Sequence, residues 1–123
     1  MLVVFVPANG KPEKRHINAD DTLHEFQRLV GGYIEIVRPY MLPNDWVMVI
    51  DEEGKLKGKP VNRVCTALYA SSWDNIVGDA FLLREDMVET EDGMEPDLVG
   101  LSEAEADDCI SRFIPKVLRY DGM

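Results

Sequence analysis

The 123-residue sequence has few of the residues that build catalytic and metal centres. It contains only two histidines, His16 and His24, and two cysteines, Cys65 and Cys109. A metal site built on the two histidines needs a third ligand that the pattern does not supply. A serine or cysteine nucleophile would lack a placed histidine to act as its base. We therefore predict no catalytic residues, no metal site and no cofactor.

Long apolar runs and a disulfide framework are also missing. No apolar run approaches the roughly 20 residues that span a bilayer. The N-terminal MLVVFV lacks the basic start and the small-residue cleavage site of a signal peptide, so it predicts a strand. Two distant cysteines are typical of buried thiols in a reducing compartment, although a disulfide is the alternative. We therefore expect a cytoplasmic protein without membrane association.

Basic residues are fewer than acidic residues, and the difference is concentrated in one segment of the chain. The chain has 13 Lys and Arg against 23 Asp and Glu, which gives a net charge of −10. Eleven of the carboxylates lie between Glu85 and Asp108, where there is no Lys or Arg, and the remainder has 13 basic and 12 acidic residues. This distribution argues against direct nucleic-acid binding. It predicts one acidic face.

The residues that are present predict a helix followed by a strand between Thr22 and Arg38. Thr22 and Glu25 have capping-box spacing, and a glycine pair stops the helix. The residues from 33 to 37 then alternate, which indicates a strand. A stripe at helical spacing predicts the buried face of the helix: Leu23, Phe26, Leu29 and Val30.

Other short segments predict the remaining elements. Asn62 caps a short helix, and Ser102 with Glu105 forms the capping box of a C-terminal helix at about 102–119, which Pro115 should kink or break. The segment at about 85–100 predicts a mobile acidic loop. The other predicted strands are Leu2–Val6, Lys14–Ile17, Trp46–Ile50 and Ile76–Leu83.

This order of elements predicts one α+β domain over residues 1–123. Hairpins at the N-terminus and after Trp46 favour a mixed, mostly antiparallel sheet of about five strands. Two main helices and one short helix should pack on one face of that sheet.

The first candidate site is the cationic segment GKLKGKPVNR, from Gly54 to Arg63. In an extended chain its alternating lysines share a face, and the following helix start favours an anion. Nearby aromatic rings would stack on a base. The alternative is a solvated hairpin edge whose lysines discourage aggregation. The predicted ligand-binding residues are Lys55, Lys57, Lys59, Asn62, Arg63, Tyr33 and Trp73.

The second candidate is the carboxylate-rich segment. It could bind a protein that normally binds DNA or RNA, because its carboxylates would mimic phosphates. The alternatives are a flexible acidic loop without a partner and a hard-cation site, although the EF-hand pattern is absent. The predicted partner-binding residues are Glu89, Glu91, Asp92 and Glu95.

Three segments together resemble one family of small proteins. They are VGGYIEIV at Val30–Val37, DEEGKLKGKPVNR at Asp51–Arg63 and DNIVGDAFL at Asp74–Leu82. The ordered set resembles the domain-of-unknown-function family numbered 3846, over roughly Leu2 to Leu83. The resemblance implies a small α+β domain carried by phages and plasmids, without an established enzyme activity. The acidic segment after Leu83 departs from the family pattern.

The resemblance also implies interference with host processes, including antiviral defence, in the bacterial host cytoplasm. Our first hypothesis is a non-enzymatic binding protein that, as a homo-oligomer, sequesters a nucleotide or another anionic small molecule. The alternative is an inhibitor of a host protein, for example a nucleic-acid-binding defence enzyme, that acts through its acidic face. A nucleotide-processing enzyme is the second alternative, and it ranks lowest because no acid–base or metal set is visible.

Overall fold

An antiparallel sheet forms the centre of the computed structural model, which describes residues 1–71 and 73–121. The strand order is β2-β1-β5-β4-β3, and β6 pairs with β5. This arrangement confirms the predicted α+β fold with a mostly antiparallel sheet. The polar sequence at Ser71–Asn75 predicts a connection that contains Trp73, and Ser72 within it lies outside the described residues. The strands are β1 (Leu2–Val6), β2 (Glu13–His16), β3 (Ile34–Val37), β4 (Trp46–Asp51), β5 (Ala80–Thr90) and β6 (Gly93–Val99).

Helices cover both faces of the sheet, so the prediction of helices on one face is wrong. The central strands are apolar at successive positions, so both of their faces need cover. In β1, Val3 and Phe5 pack towards α1, whereas Val4 packs on the opposite face, towards α2 and the C-terminal helices. The helices are α1 (Thr22–Val30), α2 (Arg63–Tyr69), α3 (Glu103–Asp108) and α4 (Ile114–Asp121), with a π-helical turn at Cys109–Phe113 between the last two.

Helix α1 ends as predicted but begins differently. Gly31 adopts a left-handed conformation with φ of 79° and closes the helix. A 3-10 turn at Ala19–Asp21 precedes the helix, so the Thr22 hydroxyl donates to the carbonyl of Ala19 at 3.0 Å instead of capping. Glu25 pairs with Arg28 at 2.6 Å. The predicted Thr22–Glu25 capping box is therefore wrong.

The predicted acidic loop at about 85–100 is also wrong, because most of this segment forms a β-hairpin. Strands β5 and β6 pair in continuous register from Arg84 opposite Val99 to Thr90 opposite Gly93. Gly93 has φ of 108° and the Thr90 hydroxyl donates to its carbonyl at 3.0 Å, which closes the turn. Carboxylates have low strand propensity, and their number concealed the Asp92-Gly93 turn signal.

The C-terminal helical segment passes through Pro115 without ending there. Ser102 and Glu105 form the predicted capping box, with the Glu105 N–H donating to Ser102 Oγ at 3.1 Å and the Ser102 N–H donating to Glu105 Oε1 at 2.9 Å. Before Pro115, the N–H of Ile114 donates to the carbonyl of Cys109, five residues earlier. This wider turn lies where proline, which has no N–H, would otherwise interrupt the helix.

Candidate functional site

The cationic segment folds into consecutive turns, so the extended conformation predicted for Lys55–Pro60 is wrong. The N–H of Lys57 donates to the carbonyl of Glu53, and the N–H of Lys59 donates to that of Gly54, each at 3.1 Å. Gly58 has φ of 69°, which tightens the bend. Lys57 and Lys59 converge on Asp51, whereas Lys55 pairs with Asp74, so the shared cationic face predicted from their alternation does not form.

Two of the three lysines bind a buried carboxylate, in an arrangement we call the Asp51 cluster. The amino groups of Lys57 and Lys59 lie 2.8 and 2.7 Å from Asp51 Oδ2. The same amino groups donate to the carbonyls of Gly31 at 3.0 Å and Val30 at 2.7 Å. These carbonyls lie at the C-terminal end of α1, where the helix dipole favours a cation. The two lysines therefore join the turn segment to α1.

The attraction between Asp51 and the two lysines is strong because the carboxylate is shielded from water. The side chain of Asp51 is fully buried, and Oδ1 also accepts the N–H of Glu53 at 2.9 Å. Burial by itself raises the pKa of Asp51, but the hydrogen bonds from Lys57, Lys59 and the Glu53 N–H outweigh it and lower the pKa from 3.8 to about 2. The carboxylate consequently remains ionised at neutral pH.

The other predicted ligand residues are dispersed or internally bonded. Lys55 pairs with Asp74. Buried Asn62 donates from Nδ2 to the carbonyls of Val6 and Gly78, each at 2.9 Å, and accepts the N–H of Cys65 at 3.0 Å as the N-cap of α2. Both amide hydrogens of Asn62 are therefore used inside the protein. Arg63 is exposed in the first turn of α2.

The two aromatic rings predicted to stack on a base lie in different settings. Trp73 is almost wholly exposed, and none of the cavities described in the structure includes it in its lining. Tyr33 and Lys57 share an open cavity of about 310 Å³ with Gln27, Gly32 and Glu53. Of the seven predicted ligand residues, this cavity brings two together.

The acidic hairpin, residues 85–97 of β5 and β6, extends beyond the rest of the sheet. Between Arg84 and Thr90 the arm is about 20 Å long at the usual rise per residue. Glu85 at its base pairs with Arg38 at 2.6 Å, and Asp86 lies 3.8 Å from Arg84. The predicted partner-binding residues lie in its distal half, exposed, and the described residues place no cation in salt-bridge contact with them: Glu89, Glu91, Asp92 and Glu95.

Arg84 anchors the base of the hairpin. Its guanidinium Nε lies 2.6 Å from Asp45 and 3.4 Å from Glu105 on α3, so it joins the hairpin to both sides of its base. The hydrogen bond to Asp45 and the neighbouring carboxylates raise the pKa of Arg84. Sequence reasoning missed this residue because its partners are distant in sequence.

A groove on the α1 side of the sheet adjoins the hairpin, and we call it the α1-side groove. Its volume is about 500 Å³. Leu23, which the helical stripe placed in the core, is 56% exposed and lines this groove. The stripe prediction is therefore wrong at this position. The groove is lined by Met1, Ala19, Thr22, Leu23, Phe26, Ile34, Asp97 and Leu98.

The chain belongs to the family described as Domain of unknown function (DUF3846), whose model matches residues 1–107. The match confirms the resemblance and includes the acidic hairpin within its range. No curated protein and no solved structure gives a significant match. Within residues 1–71 and 73–121, no helix is long and apolar enough to cross a bilayer, and no group of three or more His, Cys, Asp or Glu is placed to hold a metal ion.

Proposed function

We propose that this protein is a non-enzymatic binding module that docks its acidic hairpin against a cationic surface of a partner protein. The observation that supports the proposal is the charge on the distal half of the hairpin. Four carboxylates there are exposed without a salt-bridge partner among the described residues, on an arm that projects from the sheet. Side chains in this arrangement can pair with a partner's lysines and arginines without first breaking internal ion pairs.

The hairpin is also suited to attracting a cationic partner over distance. Glu89 and Glu95 lie on opposite faces of the ribbon, because Glu89 pairs with Met94 and Glu95 pairs with Val88 in the register. Carboxylates therefore point to both sides of the arm. A concentration of one charge sign accelerates association with an opposite surface, and salt suppresses that effect.

A protein that binds DNA or RNA has the cationic surface that such an arm would fit. Exposed carboxylates on a narrow ribbon present negative charge in place of phosphates. In the setting that the family resemblance implies, the partner would be a host protein, such as a nucleic-acid-binding defence enzyme. Occupying its nucleic-acid groove would inhibit it without any catalysis by this chain.

The test is affinity capture from bacterial lysate with two forms of the protein. The wild type is compared with the variant Glu89→Gln, Glu91→Gln, Asp92→Asn, Glu95→Gln, and retained proteins are identified by mass spectrometry. We expect the wild type to retain a basic protein that salt releases, and the variant to lose most of it. The purified partner should then show a shallower dependence of affinity on salt with the variant.

A control variant separates local charge from total charge. Glu35→Gln, Glu52→Gln, Glu53→Gln and Asp108→Asn together remove the same number of carboxylates outside the hairpin, at three exposed positions and at the half-buried Asp108. Equal loss of capture with both variants would show that only net charge matters. Unchanged capture with the hairpin variant would refute the proposal.

The nucleotide trap remains a second candidate because one observation favours it. Tyr33 and Lys57 border the same cavity, so a ring and a cation are available to one ligand. The Asp51 cluster weighs against this candidate, because an anion must compete with Asp51 for the Lys57 amino group at 2.8 Å. Thermal shift assays with a nucleotide panel test it. Stabilisation lost in Tyr33→Ala would support the trap, and no stabilisation by any nucleotide would exclude it.

A further inference from the structure

Apolar side chains are exposed on the face of the sheet that carries α1. Besides Leu23, Met87 is 51% exposed and Met94 is 58% exposed. Side chains alternate along β5, and because Leu83 packs towards α1, Met87 points to the same side. Met94 lies opposite Glu89 in the register, which places it on that side as well. One helix therefore leaves part of this face uncovered.

The α1-side groove lies on the same side of the sheet as these side chains. Phe26 and Leu98 line it, and Leu98 also packs against the buried cluster beneath α1. The volume of about 500 Å³ is within the range of about 300–1,000 Å³ usual for ligand pockets. An exposed apolar cavity on a face that also carries exposed methionines is the composition expected of a protein-docking surface.

The edge of the groove is negatively charged. Asp20 and Asp21 lie between the lining residues Ala19 and Thr22, and Asp97 itself lines the groove. None of these three carboxylates has a salt-bridge partner within residues 1–71 and 73–121. The groove thus combines an apolar floor with an anionic edge.

The negative charge at the edge of the groove favours one candidate occupant over another. A second copy of the chain would bring another net charge of −10 and another acidic hairpin to the same surface, so repulsion disfavours self-association there. An occupant with apolar side chains flanked by lysine or arginine satisfies both the floor and the edge.

The backbone at the hairpin disfavours docking by strand addition. The N–H of Met87 donates to Asp86 Oδ1, and the N–H of Leu98 donates to Asp97 Oδ1, each at 2.8 Å. These two N–H groups are consequently not free to pair with an added strand. Recognition by side chains, as in a helix that lies in a groove, remains compatible with the geometry.

From these observations we infer that the α1-side groove is the docking site for a basic amphipathic helix of the partner. The inference rests on the proposed function and adds a second contact with the same partner. The hairpin supplies charge, and the groove receives apolar side chains. Leu23 and Met87 contact the apolar face of the helix, while Asp20 and Asp21 pair with its flanking cations.

The test uses a defined helical peptide as the probe. A fluorescein-labelled peptide of about 18 residues, long enough for helix formation, carries leucines at helical spacing and lysines elsewhere. A second peptide has alanine in place of each leucine and the same charge. Fluorescence anisotropy measures their affinity for the wild type, for Leu23→Ser, for Met87→Ser and for the hairpin-neutralised variant. Leu56→Ser is the control, because Leu56 is 87% exposed outside the groove.

We expect the leucine peptide to bind at least about tenfold more tightly than the alanine peptide, as burial of apolar side chains predicts. Leu23→Ser and Met87→Ser should each weaken the leucine peptide several-fold, and Leu56→Ser should not. Both sites are about half exposed, so the variants should remain folded, and circular dichroism checks this.

Three outcomes would overturn the inference. If both peptides bind equally and only the hairpin-neutralised variant loses them, the proposed function stands and the groove has no role. If the leucine peptide does not bind, or binds all variants alike, the groove is not its site. If binding is also unaffected in the hairpin-neutralised variant, the proposed function is refuted as well. If sedimentation shows a wild-type dimer that Leu23→Ser abolishes, a second copy occupies the groove.

Discussion

Replacing Asp51 with asparagine should destabilise the domain by about 2 kcal/mol at pH 7. The carboxylate is buried and binds Lys57 and Lys59 at 2.8 and 2.7 Å. Its pKa falls from 3.8 to about 2 in the folded state. A tenfold change in acid dissociation corresponds to about 1.4 kcal/mol, so the folded state stabilises the ionised form by about 2 kcal/mol. Asparagine keeps the shape of the side chain and removes this charge.

The destabilisation should depend on pH in a defined direction. Because the pKa of Asp51 is lowered in the folded state, its contribution is complete above about pH 4 and is lost as the pH falls through 2. The wild type should therefore lose stability over this interval through Asp51. The Asp51→Asn variant lacks this contribution, so the difference between the two proteins should shrink in acid.

Urea unfolding monitored by tryptophan fluorescence at pH 7 and near pH 2.5 measures both quantities. Asp92→Asn is the matched control, because Asp92 is an exposed carboxylate in the hairpin turn, and it should change the free energy of unfolding by less than about 0.5 kcal/mol. The reasoning is refuted if Asp51→Asn also falls within that limit at pH 7. It is equally refuted if the two proteins differ by the same amount at both pH values.

The remaining predictions concern the helix caps and the hairpin base. Ser102→Ala should lower the free energy of unfolding by about 1 kcal/mol. Thr22→Ala should have a clearly smaller effect, because of these two residues Ser102 caps a helix and Thr22 does not. Equal urea midpoints for the two variants would contradict this prediction. Arg84→Met leaves Asp45 without the guanidinium partner at 2.6 Å and should accelerate amide hydrogen exchange throughout the hairpin. Exchange as slow as in the wild type would show that the hairpin does not depend on Arg84.

Local signals predicted the parts of the fold that depend on neighbouring residues. Gly31 ends α1 because a left-handed residue is needed there, and Asn62 caps α2 through the N–H of Cys65. Alternation likewise identified β3, and a run of large and β-branched residues identified β4. Such features follow from the conformational preferences of a few adjacent residues, and spacing in the sequence is sufficient to find them.

The candidate site depends on tertiary contacts that the spacing of residues in the sequence cannot predict. Lys57 and Lys59 alternate in the sequence, but their amino groups turn towards a buried carboxylate and towards carbonyls at the C-terminal end of α1, 26 and 29 residues away. Leu23 has the spacing of a core residue but lies where α1 borders an open groove. Tertiary packing decided both outcomes.

The hairpin was missed for a different physical reason. Five of the eleven strand residues between Glu85 and Asp97 are Glu or Asp, and the apolar residues Met87, Val88 and Met94 are too few to reveal a strand pattern. The buried part of β5 begins the strand, and backbone pairing with β6 continues it from Arg84 to Thr90 although these residues have low strand propensity. The carboxylates are consequently held on a ribbon.

Amide chemical-shift mapping by NMR, with isotope-labelled wild-type protein and the leucine–lysine peptide, tests the central claim most directly. The claim is that binding involves the acidic hairpin and the α1-side groove, while the lysines of the turn segment serve the fold. Shifts should concentrate in residues 19–26 and 85–98 and leave residues 55–63 unchanged. Shifts concentrated in residues 55–63, or an unchanged spectrum at saturating peptide, would contradict it.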